Sequence, residues 1–179
     1  MTTTAQAETN NETLAAIEAF ERKYRYDATY MKDMLEAAPE ALAVFQSFLQ
    51  MVSHPKACPV DLYHVASIAA FQHVDCGPCL QLAARYAVEA GVPRETIEAA
   101  LNQPETLTEK QASVHTFANS ILQGAPDHDA LRQKLVNEIG EAAVIEIALK
   151  VASAQIFPVV KRALGHYQSC TLVSIEIEA

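Results

Sequence analysis

Prolines and glycines divide this chain into short segments, and apolar side chains recur at helical spacing within each segment. Pro39 and Pro93 stand where helices can begin, because proline is tolerated in a first helical turn. Gly91 and Gly124 stand where helices can end. Half of the 179 residues are apolar, alanine is abundant, and β-branched clusters are scarce before the last ten residues. We therefore predict an all-α fold.

The start and stop signals predict the individual helices. Thr108 and Gln111 form a capping box at the start of one helix, and Asp27 can cap another. The last helix is apolar on nearly every face, which predicts a buried central helix with a kink at Pro158. The expected helices cover residues 13–24, 28–37, 39–52, 59–73, 76–91, 93–101, 109–122, 127–139 and 141–166.

The ends of the chain differ in composition from its middle. Residues 1–11 are polar and predict a disordered N-terminal arm. Residues 12–168 make up one all-α domain, and residues 169–179 make up an extended C-terminal tail. Residues 172–178 alternate as a strand does. Because no second strand is available to pair with it, we expect this tail to dock on a neighbour.

Charge and cysteine content limit the partners. A formal net charge of −9 argues against nucleic acid and anionic membranes, both of which select basic patches. The N-terminus lacks the layout of a signal peptide, and the longest uncharged apolar run, 151–160, is half of the roughly 20 residues that span a membrane. Four cysteines are too few for a disulfide-stapled secreted domain. We predict a soluble cytoplasmic protein.

The motif Cys76-Gly77-Pro78-Cys79 carries the chemistry. Thiols three residues apart in a first helical turn can bond to each other, and a helix N-terminus favours the thiolate. Pro78 has no N–H to lose there. This predicts a redox dithiol, against the alternative of two small buried residues. We expect Cys76 to be the more exposed and more acidic thiol and Cys79 the more enclosed one.

Three stretches resemble one known family. The segments VDLYHVASIAAFQHVDCGPCLQLAARYAVEAGVPRETIEAAL, LTEKQASVHTFANSIL and AAVIEIALKVASAQIFPVVKRAL are similar to the carboxymuconolactone decarboxylase/AhpD-like alkylhydroperoxidase family, over about residues 40–166. The resemblance implies an all-α fold, assembly into a homo-oligomer (trimer, dimer or hexamer), and peroxide reduction by the cysteine pair. It implies a peroxide or other small-molecule substrate, a reducing thiol protein as partner, and no organic cofactor.

The family's members use a glutamate and a histidine to relay protons, and neither residue is present at the matching position of this chain. The family glutamate, twelve residues before the first cysteine, is His64 here, and the family histidine after the second cysteine is Ala83. The histidine that often precedes the second cysteine is Pro78. We hypothesise that His64 replaces the relay, because an imidazole with an ordinary pKa near 6.5 can take and return a proton. The alternative is a polar residue that completes helix packing.

Three further residues are secondary candidates. Asp75 can cap the CxxC helix, and its charge would raise the pKa of the Cys76 thiol. His73 forms His-x-x-Cys-x-x-Cys with the pair, but a closed zinc site needs four ligands, so we predict no metal. His115 is either a core or interface histidine or part of a pocket.

Three functions remain open from the sequence. The first is a thiol oxidoreductase in which Cys76 and Cys79 cycle between dithiol and disulfide against a peroxide or a protein disulfide. The second is a cofactor-free lactone decarboxylase that uses His64 and His115 for proton transfer. The third is a non-enzymatic redox sensor.

Overall fold

The protein is predominantly helical in the part that its structure, a computed structural model, describes: residues 2–52, 55–74, 76–126, 128–166 and 175–177. No strand occurs in these ranges, so the predicted all-α fold is confirmed. A short 3₁₀ turn at Pro104–Thr106 follows the sixth helix. The helices are α1 (Thr2–Tyr24), α2 (Thr29–Ala37), α3 (Pro39–Val52), α4 (Val60–His73), α5 (Gly77–Glu89), α6 (Arg94–Asn102), α7 (Glu109–Gln123), α8 (His128–Ile139) and α9 (Glu141–Ala163).

Local signals set the ends of α7. The Gln111 backbone N–H donates to the Thr108 hydroxyl at 3.4 Å, and the Thr108 N–H donates to the Gln111 side chain at 3.1 Å. These two bonds form the predicted capping box. Gly124 ends the helix with φ of 63°, a left-handed conformation that costs glycine little.

Two helix starts differ from the prediction. α1 begins at Thr2 rather than at residue 13, so the segment expected to be a disordered arm continues the helix. Each residue added to an existing helix gains a hydrogen bond without needing to be buried, and alanine, glutamine and glutamate are good helix formers. Asp27 lies one residue before the N-cap of α2, Ala28, and accepts a hydrogen bond from the Thr29 N–H at 3.0 Å.

The central helix is α4 rather than α9. Every residue from Leu62 to Phe71 is buried, because α5, α6, α7 and α9 all pack against this helix. α9 continues through Pro158 but leaves one apolar face exposed, including Ile145, Leu149 and Val159. High apolar content alone therefore did not distinguish a central helix from one at the periphery of the core.

The length and composition of α9 would also allow it to cross a membrane. It is 23 residues long, with a mean hydropathy of 1.7 in its most apolar window, and 44% of that window is buried inside the protein. It packs against α3, α4, α7 and α8 of its own chain. Length and composition alone are weak evidence for a membrane span, because core helices of soluble proteins share them.

The described part of the C-terminal tail, Ile175–Ile177, lies against its own chain. The Gln81 side chain of α5 donates to the Glu176 carbonyl and accepts from the Glu176 N–H, each at 2.7 Å. Ile175 and Ile177 pack on the core formed by α4 to α9. These residues therefore dock on their own chain, where the buried Gln81 side chain satisfies the backbone of Glu176, and docking of the tail on a neighbour stays a prediction. Positions 167–174 and 178–179 lie outside the described residues.

Two hydrophobic clusters make up the interior. The larger joins α4 to α9, and the smaller joins α1, α2, α3 and the segment before α2. Leu82 and Tyr86 of α5 and Phe157 of α9 also contact the smaller cluster. The candidate site lies where the two clusters meet.

Candidate active site at the Cys76–Cys79 pair

The CxxC motif lies at the start of α5, as predicted. Cys76 is the N-cap residue, Pro78 lies in the first turn, and the Leu80 N–H donates to the Cys76 carbonyl at 2.9 Å. The Cα atoms of Cys76 and Cys79 are 5.3 Å apart and their sulfur atoms are joined as a disulfide. The pair is therefore compatible with thiol redox chemistry.

The two cysteines do not differ in exposure as predicted. Cys76 is 2% exposed and Cys79 is 3% exposed, so the expectation of a more exposed Cys76 was wrong. The end of a helix is exposed only where nothing covers it, and this helix start is covered by the rest of the fold. Cys79, unlike Cys76, lines a cavity of about 550 Å³. A small molecule in that cavity would meet the Cys79 side chain.

The cavity lies between the two hydrophobic clusters. Most of its wall is apolar, and small-molecule pockets of proteins are commonly about 300–1,000 Å³ with such walls. Its polar side chains include Tyr26, His64 and Lys150. The apolar wall includes Ile17, Phe20, Met31, Leu49, Phe71, Leu82 and Phe157.

Two buried residues, Lys161 and Tyr26, form a chain of hydrogen bonds that ends at the Cys79 sulfur. The Tyr26 hydroxyl lies 4.0 Å from Cys79 Sγ, and Lys161 Nζ donates to the same hydroxyl at 3.4 Å. Lys161 is 0% exposed, and its ammonium lies 4.8 Å from the centroid of the Tyr26 ring. A disulfide sulfur carries no hydrogen, so the Tyr26 O–H is the donor to Cys79. The hydrogen bonds therefore run from Lys161 through Tyr26 to the sulfur.

His64 lines the same cavity as Cys79, but it is a neutral group at pH 7. Burial, with a smaller contribution from the Lys150 charge, lowers the pKa of His64 to about 4. Among the described residues its Nδ1 has no hydrogen-bond partner. The hypothesis of a relay with a pKa near 6.5 therefore does not fit this environment, since burial opposes the imidazolium.

Lys150 is the second buried cation of α9. It is 4% exposed, Nζ donates to the Val52 carbonyl at 3.2 Å, and the ammonium lies 5.4 Å from the Tyr63 ring centroid. Burial lowers the pKa of Lys150 to about 8. Its ammonium forms no ion pair with a carboxylate in the described part of the chain.

Neither of the two secondary candidates that the structure describes, His73 and His115, lines the cavity. His73 is exposed at the end of α4, and Asp75 lies outside the described residues. His115 is half-buried on α7 away from the cavity lining, where its Nδ1 lies 3.4 Å from the Asn119 amide. Burial lowers the pKa of His115. The proton-transfer pair of His64 and His115 required by a lactone decarboxylase is thus not assembled at this cavity.

Of the other two cysteines, only Cys58 lies among the described residues, and it does not line the cavity. Cys58 is a buried free thiol whose pKa is raised to about 12, chiefly by burial. Cys170 lies outside the described residues. Within the described ranges, no group of three histidine, cysteine or acidic side chains is placed to hold a metal ion.

Sequence reasoning missed Tyr26, Lys150 and Lys161. A signal for the lysines exists, because both lie in a long apolar stretch and they are eleven residues apart. Eleven residues turn a helix by three turns and about 20°, which places both side chains on one face. Tyr26 lies in the loop before α2, and no sequence pattern pointed to it as a site residue.

Comparison with protein-family models, with curated proteins and with solved structures gave no match to this chain, and the family resemblance stays a prediction.

Proposed function

We propose that this protein is a thiol-dependent oxidoreductase of the AhpD-like kind that reduces a small organic hydroperoxide with Cys79 and Cys76. The observation that carries the proposal is a redox-capable pair with one member on the wall of a cavity of small-molecule size. Both cysteines are at most 3% exposed, so a small molecule in the cavity has better access to the pair than a folded protein disulfide. This favours peroxide reduction over exchange with a protein substrate.

The reaction balances with the residues present and one external reductant. The Cys79 thiolate attacks the terminal oxygen of ROOH, the O–O bond breaks, and the leaving alkoxide takes a proton from Tyr26 to give ROH. Cys79 is then a sulfenic acid, and the Cys76 thiol displaces water from it to form the disulfide. Cys79 releases one proton when it ionises and the Tyr26 phenolate takes one up after the attack, so the protons balance. A reducing dithiol restores both thiols by exchange.

Lys161 supports this role of Tyr26. A buried ammonium that donates to the phenol oxygen stabilises the phenolate left after proton transfer. The same hydrogen-bonded arrangement would favour the Cys79 thiolate before the attack. Tyr26 and Lys161 would therefore stand in for the glutamate and histidine that the family pattern has and this chain lacks.

The proposal is tested with reduced protein and cumene hydroperoxide under anaerobic conditions. We expect two thiols to be lost per hydroperoxide consumed in the wild type and in the control Cys58→Ser. Cys76→Ser should stop at a dimedone-reactive sulfenic acid on Cys79, and Cys79→Ser should be inert. Sulfenic acid formation on Cys76 in Cys79→Ser, or thiols that ignore hydroperoxide in the wild type, would contradict the proposal.

Location and assembly are part of the proposal. A cytoplasmic location would supply the reducing thiols that the cycle needs. A homo-oligomer is proposed from the family resemblance, and light scattering coupled to size-exclusion chromatography tests it.

A further inference from the structure

We propose that the cavity beside Cys79 binds an apolar monocarboxylate, with its carboxylate on the Lys150 ammonium and its apolar body along the wall. The inference rests on the proposed function where it names the substrate class: an organic hydroperoxide that also carries a carboxylate. Binding of the carboxylate itself does not depend on redox activity.

The first argument is the position of Lys150. A buried ammonium is costly unless an anion or hydrogen-bond acceptors replace its water. Lys150 is 4% exposed and lines the cavity, and the acceptor that the structure gives it is the Val52 carbonyl. An ammonium has three donors, and the Tyr63 and Phe71 rings, 5.4 and 5.9 Å away, offer only their faces. An anion in the cavity would complete this environment.

The second argument is that the neighbouring polar side chain does not neutralise Lys150. His64 is 9% exposed, lines the cavity, and leaves its Nδ1 without a partner among the residues that the structure describes. A neutral imidazole supplies no negative charge. Lys150 and His64 thus form a polar end of the cavity with one positive charge and an unused nitrogen.

The third argument is the rest of the wall. Phe20, Leu82 and Phe157 are typical of the lining, which suits an aliphatic or aromatic body. Glu89 also lines the cavity, but it is already bound to Lys23 and Tyr24, at 2.9 and 2.8 Å. It therefore does not compete for the Lys150 charge.

These features select a monoanion with one apolar body. One ammonium balances one carboxylate, whereas a phosphate monoester would bring a second charge into a cavity whose described lining holds one cation, Lys150. Lys150 and Cys79 line the same cavity, so a ligand held at Lys150 by its carboxylate shares that cavity with the thiol. Free carboxylic acids would bind as non-reacting analogues.

The test compares decanoate with decanol by titration calorimetry. The protein is Cys76→Ser/Cys79→Ser, so that binding is measured without any redox step. We expect decanoate to bind about tenfold more tightly than decanol, the usual advantage of a hydrogen bond to a charged group. Lys150→Met should lose that preference while keeping its affinity for decanol, and the exposed control Lys134→Met should behave as the parent does.

A second variant shows whether a lost preference comes from the missing charge or from misfolding. Lys150→Arg keeps the charge and should keep the preference for decanoate, and thermal unfolding reports whether Lys150→Met is folded. Equal affinities of the parent for decanoate and decanol would overturn the proposal, as would an unchanged preference in folded Lys150→Met or no binding of either probe. If decanoate binds through Lys150 but wild-type thiols ignore hydroperoxide, only the proposed function fails.

Discussion

At the scale of single residues, the site depends on polar groups that the fold removes from water. Tyr26 is 6% exposed and lies between a buried cation and a sulfur. Its hydroxyl must donate to one neighbour and accept from the other, because an ammonium can only donate and a thiolate or disulfide sulfur can only accept. This fixed direction gives Tyr26 a role that a tyrosine in solvent would not have.

Removing the Tyr26 hydroxyl should slow peroxide-driven disulfide formation by at least about tenfold, as loss of a general acid does. In Tyr26→Phe the Cys79 thiolate loses a hydrogen bond, so the thiol pKa should rise. Stopped-flow thiol loss across pH measures both effects. Tyr86→Phe is the matched control, because Tyr86 lines the same cavity without a hydrogen bond to either cysteine in the described structure. Equal rates and thiol pKa values in the two variants would remove Tyr26 from the mechanism.

His64 should make the protein less stable in mild acid. Its folded pKa is about 4 against 6.5 for the free side chain, so below pH 6.5 the unfolded chain binds a proton that the folded chain does not. The free energy of unfolding should therefore fall by about 2 kcal/mol from this group between pH 7 and pH 5. Urea unfolding at both pH values should show that decrease in the wild type and in exposed His73→Gln, but not in His64→Gln. The same decrease in His64→Gln would show that other groups cause it.

At the scale of helices, the Glu146 side chain of α9 binds the backbone of the segment that precedes α4. The Glu146 carboxylate accepts hydrogen bonds from the backbone N–H groups of Lys56, Ala57 and Cys58, at 2.8 to 3.1 Å. These N–H groups precede the first turn of α4 and have no helix of their own to bond within. Glu146 thus ties the chain that leads into the central helix to α9.

Neutralising this carboxylate should destabilise the protein. Hydrogen bonds to a charged group are worth about 1.5–3 kcal/mol, and Glu146→Gln leaves one acceptor oxygen and places an NH₂ against backbone donors. We expect a loss of about 2 kcal/mol in the free energy of unfolding, measured by urea titration. Glu105→Gln, on the exposed 3₁₀ turn, is the control and should cost less than about 0.5 kcal/mol. Equal losses of stability in the two variants would show that the Glu146 carboxylate does not stabilise the segment before α4.

The sequence was sufficient to predict most helices but not their relative positions. The Thr108 capping box and Gly124 act within a few residues, so local chemistry fixes both ends of α7. The choice of α4 as the central helix depends on which helices surround it, and α4 and α9 are similarly apolar. The candidate site divides in the same way. The CxxC follows from local spacing, whereas Tyr26 contacts Cys79 across 53 positions and Lys161 contacts Tyr26 across 135 positions.

At the scale of the whole molecule, the cavity lies at the junction of two hydrophobic clusters and is partly open to solvent. Interiors are normally filled to near crystal density, and apolar walls that face such an opening lack the contacts of a packed core. Here the cavity adjoins Cys79 of the redox pair and two basic side chains, His64 and Lys150. A bound small molecule would restore those contacts, so hydroperoxides and carboxylates of suitable size should also stabilise the fold.

A redox cycle further requires that the fold survive reduction of Cys76 and Cys79. The two residues are only three positions apart, so their bond closes a very short loop and removes little entropy from the unfolded chain. The chain-entropy relation gives about 2 kcal/mol as the stabilisation for such a loop. Urea unfolding with and without a phosphine reductant should therefore show one cooperative transition in both states, separated by no more than about 2 kcal/mol. Loss of the cooperative transition on reduction would identify the bond as a structural staple and exclude cycling between dithiol and disulfide within the folded protein.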